Sequence, residues 1–258
     1  MKKIITITML VLLALNVNAQ FKNSNDAINV AGRQRMLSQK IAKDFLLISA
    51  DINVEKYQTE LDNSLAMFEE SHQMLRSYCE SFPEINTAMD EVEEIWYNYR
   101  EMASSTEFTK SECSYLLTNS GYLLKATNKV VGMLEKNQTT TGDKGIAKLV
   151  NKAGRQRMLS QKIAMYYIAA FLELPSPEIK PNFTASVNLF EQSLNELIAE
   201  QDVNTPEITK KLTTVSRNWN FTKKSLKLDG KLKPATVAIS LNTLLKDMNT
   251  VTGMYSAL

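Results

Sequence analysis

The sequence predicts an all-α protein made of two tandem up-down-up-down four-helix bundles, and three observations predict it. Glycine and proline are scarce, 8 and 6 in 258 residues, so the chain is poor in turns. Its apolar residues follow the helical period, with no useful stretch of period-two alternation. Finally, Ala31-Gly-Arg-Gln-Arg-Met-Leu-Ser-Gln-Lys-Ile-Ala42 recurs unchanged at Ala153 to Ala164, the mark of a duplicated domain.

The elements follow in order. Residues 1–19 read as a signal peptide: Lys2-Lys3, an apolar run from Ile4 to Leu15, and small residues at Val17-Asn18-Ala19. That run is shorter than the ~20 residues a membrane span needs, and no later stretch is apolar enough, so the expected product is soluble, exported and periplasmic or secreted, with an uncleaved leader acting as an anchor as the alternative. The first bundle, 20–138, should hold helices near Asn25 to Ala50, Val54 to Cys79, Glu84 to Ala103 and Lys110 to Lys136. Breaks fall at Asp51-Ile-Asn53, Ser81-Phe-Pro83 and Ser104-Ser-Thr106. The second, 146–258, should hold helices near Lys144 to Leu172, Pro181 to Glu200, Thr205 to Lys224 and Pro234 to Ala257. Pro175-Ser-Pro177 and Leu228-Asp-Gly230 supply two of its breaks. The Thr- and Gly-rich stretch Asn137 to Gly145 reads as the connection, with 139–145 the linker proper. The register persists outside the motif: Phe68-Glu69 answers Phe190-Glu191, Trp96 answers Trp219, and Asn128 answers Asn249.

Composition narrows the function. At 44% hydrophobic and 22% charged residues the chain is neither disordered nor a polytopic membrane protein. Lys+Arg number 30 against 28 Asp+Glu, and the leader carries two of the lysines, so nucleic acid is not an expected partner. The single histidine, His72, disfavours a catalytic triad, and Glu69-x-x-His72 imitates half of a di-iron site that the second copy, with Leu194, does not repeat. His72 is expected as a partly exposed helix residue. With no Cys-x-x-Cys-His and no phosphate loop, neither enzyme activity, metal nor cofactor is expected. Trp96 and Trp219 read as core filling. Cys79 and Cys113 should lie at opposite ends of the first bundle and stay free, with Cys79 the more exposed.

On a helical wheel Val30, Leu37, Ile41, Phe45 and Ile48 form the core stripe, while Gly32, Arg35, Met36 and Gln39 lie on the other side. In the second copy that face carries Gly154, Arg157, Met158 and Gln161. Glycine inside a helix costs about 1 kcal/mol relative to alanine, so its double occurrence one turn before an arginine suggests a close approach there. Arginine's planar fork suits a flat oxyanion. A solvated face would have drifted between the copies, and this one has not.

Asn29-x-Ala31-Gly32-x-x-Arg35-Met36, continuing as Leu-Ser-Gln-Lys, resembles the first-helix signature of the PilJ/NarX-type sensor domain. That domain is the extracytoplasmic four-helix bundle of nitrate and nitrite sensor kinases and of some chemotaxis transducers. The resemblance implies a nitrate between the first helices of two subunits, held by the glycine and the arginine three residues on: here Gly32 and Arg35, and Gly154 and Arg157. The second span and cytoplasmic output of the family's sensors are not read in this chain, so such a protein would either feed a separate membrane sensor protein as its partner or simply buffer the ligand. Two function classes follow. One is a binding protein for nitrate or nitrite, with Gly32, Arg35, Met36, Gln39, Gly154, Arg157, Met158 and Gln161 as site residues. The other is a helical interaction module that docks to a partner through the same face. For the first, the expected form is a monomer whose two copies build the site between them.

Overall fold

The computed structural model describes residue 21 and residues 23–141 and 144–258; the signal peptide read at 1–19 lies outside them. Eight helices and no strand are found among the described residues: α1 Ser24–Ser49, α2 Val54–Cys79, α3 Pro83–Ala103, α4 Lys110–Thr141, α5 Lys144–Phe171, α6 Ile179–Ala199, α7 Pro206–Lys223 and α8 Pro234–Ser256. Local chemistry sets their ends. The Asn23 side chain caps α1 by accepting from the Asp26 amide at 2.9 Å, and Thr205 caps α7 in the same way through Ile208. Prolines occupy the first turns of α3, α7 and α8, where no intrahelical donor is lost.

The duplication is visible in how the first helix of each copy stops. After α1 the chain turns through Asp51 at φ 56°, the Asp51 amide donating to the Ile48 carbonyl and the Ile52 amide to the Leu47 carbonyl. After α5 it turns through Glu173 at φ 52°, with Glu173 donating to Ala170 and Leu174 to Ala169. Both are Schellman closures with a non-glycine residue in the left-handed position, followed by an apolar residue folded back on the core.

Helices α1–α4 form one bundle and α5–α8 the other, and the two pack through their first helices: α1 lies along α5 while also touching α2, α4 and α8. This changes the sequence picture of α1. Its Gly/Arg face is not turned away from a core but buried against the second bundle, and Arg35 is 1% exposed. Val30, assigned to the core stripe, is only half-buried. A helix central to two bundles is covered on nearly every side, so one wheel cannot tell its faces apart.

Other expectations also shift. Helix α4 runs on to Thr141 and α5 starts at Lys144, so most of the linker read at 139–145 is helical. Helix α6 starts at Ile179, which places Pro181 inside its first turn rather than at its start. His72 is buried, not partly exposed; its Nδ1 lies 3.4 Å from Gln34 Nε2. Cys79 is fully buried, as is Cys113, and both are free thiols. Cys79 ends α2 next to Tyr78, whose ring meets Phe21 before α1, whereas Cys113 begins α4 beside Ser49 at the far end of α1. Trp96 stacks on Phe68 at 3.9 Å between centroids and Trp219 lies over Phe190 at 4.2 Å, duplicated core pairs in each bundle.

Candidate functional site

The twelve repeated residues place two arginines face to face. Helices α1 and α5 run in the same direction, so that Gly32 lies opposite Gly154 and, further along, Lys43 meets Gln161. Arg35 leaves α1 and reaches across to α5, where Nη2 donates to the Asn151 carbonyl at 3.2 Å, while Nη1 donates to Asn128 Oδ1 on α4 at 2.9 Å. Arg157 mirrors it: Nη2 donates to the Asn29 carbonyl at 2.9 Å and Nη1 to Asn249 Oδ1 on α8 at 3.2 Å. Each arginine is thus tied to its own bundle by an asparagine and to the other bundle by a backbone oxygen.

The glycines leave room for these side chains. A Cβ on Gly32 would lie 3.0 Å from Arg157 Nη2 and 3.5 Å from Arg35 Nη2; one on Gly154 would lie 3.2 and 3.3 Å from the same two atoms. The facing backbone is less demanding, since Gly154 Cα would be 3.9 Å from the Gly32 Cβ, an ordinary contact. The close approach anticipated from the sequence is therefore made by the two guanidiniums.

Electrostatically the pair is unbalanced. Neither arginine takes part in an ion pair among the described residues, and the Nε atoms of both are buried without a hydrogen-bond partner. Burial, then repulsion from Arg155 and Arg157, pulls the Arg35 pKa down to about 9, with Glu135 opposing. Burial, then Arg33, does the same to Arg157, also to about 9. Both remain cationic at neutral pH. Two unit charges about 6 Å apart repel by about 3 kcal/mol at an effective dielectric of 20, and one anion between them reverses the sign.

The other residues expected at the site divide. Gln39 donates to the Ser120 carbonyl at 2.9 Å and to Ser38 Oγ at 3.1 Å, joining α1 to α4. Gln161 donates to Ser160 Oγ at 3.1 Å and accepts from Lys43 Nζ at 2.9 Å. Both amides are engaged by other groups, not by either arginine. Met36 and Met158 are buried members of the continuous apolar core. The serines of the motif bond back to the arginine carbonyls, Ser38 Oγ to Arg35 at 2.8 Å and Ser160 Oγ to Arg157 at 2.7 Å. Asn128 and Asn249 were missed as site residues although their repetition was visible, and so were the carbonyls of Asn29 and Asn151. A backbone oxygen carries no side-chain signal in a sequence.

The two halves are not identical along the whole interface. Beyond the arginines, Lys43 is fully buried and donates to Gln161 Oε1 and Asn242 Oδ1, each at 2.9 Å, while pairing with Asp44 at 2.9 Å. Lys40 bridges Asp44 at 2.6 Å and Glu60 at 2.7 Å. Met165 and Tyr166 stand where the second copy would repeat Lys43 and Asp44, and Met165 Sδ instead accepts from Ser120 Oγ at 3.4 Å. Burial pulls Lys43 down to about 8, against the attraction of Asp44.

No curated protein and no solved structure matches the chain. The family model for the N-terminal domain of type IV pili methyl-accepting chemotaxis transducers, PilJ, matches it twice, over residues 17–116 and 139–243. Its domain is of the helical sensor type. The two matches take in most of the chain and follow the two bundles, so this protein belongs to the PilJ family and carries the domain in two tandem copies.

Proposed function

We propose that the protein is a sensor-type binding domain for a small planar oxyanion, nitrate or nitrite, held where the two copies meet by Arg35 and Arg157 over Gly32 and Gly154. One observation carries the reading: two buried guanidiniums converge on the same glycine-cleared space with no carboxylate paired to either. A buried charge without a counter-charge is costly, and a bound anion supplies the missing one. The spare donors are suitable, namely the two Nε–H groups and the second N–H of each Nη2. Docking an external helix through this face would need exposed surface, and the second bundle already covers it.

The test is calorimetry of residues 20–258 with nitrate and with nitrite at constant ionic strength in chloride, alongside light scattering. One anion per monomeric chain is expected. No heat with either anion, or two anions per chain, would overturn the reading.

A further inference from the structure

A cleft of about 390 Å³ opens on the outer side of Asn151, lined by Glu135, Lys148, Asn151, Lys152, Arg155 and Glu200 among others, and neither Arg35 nor Arg157 lines it. Asn151 belongs to both places: its side chain donates to Glu135 in the cleft, and its carbonyl accepts from Arg35 inside. The cleft lining holds three cations, Lys148, Lys152 and Arg155, and two carboxylates, Glu135 and Glu200. Lys152 pairs with Glu196 at 3.2 Å and Glu200 at 3.7 Å, whereas Lys148 and Arg155 form no ion pair among the described residues. The corresponding surface of the first copy is built differently. At the repeat offset Asp26 stands for Lys148 and Val30 for Lys152, and Ser256 Oγ donates to Asp26 Oδ1 at 2.6 Å, joining the start of α1 to the end of α8. Arg155 is matched by Arg33 in the first copy, so the two rims differ through Lys148 and Lys152, which leave an open cleft on one side, against Asp26 and Val30 and a stitched contact on the other.

We infer that the cleft on the second copy is the port through which the anion reaches Arg35 and Arg157, with Lys148 and Arg155 steering it inward and the Glu135–Asn151 pair standing at the threshold. The inference rests on the anion reading above. Cations lining a cleft raise the local anion concentration and the association rate, and they do so less as salt increases.

The experiment follows the amide signals of Gly32 and Gly154 by NMR during nitrate titrations, with line shapes giving both rate constants. Lys148→Glu is compared with Lys227→Glu, an equal charge change on the exposed α7–α8 loop at the opposite end of the bundle. Lys148→Glu should lower the association rate about tenfold at low salt, leave dissociation unchanged and lose most of its effect at high salt. Equal slowing by both variants, or by neither, overturns the port while leaving the anion site standing. Failure of the wild-type protein to bind nitrate removes the site and the port together.

Discussion

Replacing Gly154 by alanine separates the two reasons a glycine can sit at this interface. The new methyl carbon would lie 3.2 Å from Arg157 Nη2 and 3.3 Å from Arg35 Nη2, and no facing backbone atom lies among its nearest neighbours. What must yield is the end of two long side chains, by a few tenths of an ångström. Against that stands the helix propensity of alanine, about 1 kcal/mol better than glycine. Both ends are pinned by two hydrogen bonds each, which offsets that gain, so without nitrate stability should change by no more than about 1 kcal/mol in either direction, a Tm change of no more than ~4 °C for a chain of this size. Binding responds differently. A charge-assisted hydrogen bond puts an oxygen about 2.7–2.9 Å from each nitrogen, and the methyl group occupies the space between the two Nη2 atoms where such an oxygen would bridge them. Gly154→Ala should thus abolish the nitrate-induced rise in Tm, read by scanning calorimetry against chloride at equal ionic strength. A retained nitrate shift would refute the bridging geometry. A loss of more than about 2 kcal/mol without nitrate would show that the glycine serves helix packing.

Arg35→Ala and Arg157→Ala should each eliminate the nitrate shift while leaving the far-ultraviolet circular dichroism helical; in wild type, 100 times Kd stabilises by about 2.7 kcal/mol. Lys43→Met copies the residue of the second bundle and removes a buried charge. Because burial holds Lys43 down to about 8 from 10.5, its penalty is fully present below pH 8 and is relieved as pH rises from there toward the unfolded value. Urea titrations should accordingly show wild type gaining on Lys43→Met between pH 8 and 10, and parallel curves would contradict the assignment. Cys79 and Cys113 are buried, and burial raises both thiols, Cys79 to about 11, so Ellman's reagent at pH 8 should label neither until the protein unfolds. Rapid labelling of the native protein would show that these helix ends open.

The sequence alone determined the helices, the duplication and the arginines. Helical periodicity and cap chemistry are local, so α2, α3 and α8 start or stop within a residue of where Asn53, Pro83 and Pro234 put them. An unchanged repeat needs no coordinates to be seen, and it singled out Gly32, Arg35, Gly154 and Arg157. Tertiary structure decided what those residues face. The wheel of α1 separates a core stripe from a second face, but burial of that face by α5 depends on how one bundle meets another, which no single helix encodes. The exposures expected for His72 and Cys79 failed for the same reason, since the residues that cover them come from other helices. The crossing of Arg35 to the Asn151 carbonyl, and of Arg157 to that of Asn29, lies further still from the sequence. Every residue has a carbonyl, and only the packing of two parallel first helices selects the pair that receives the two charges.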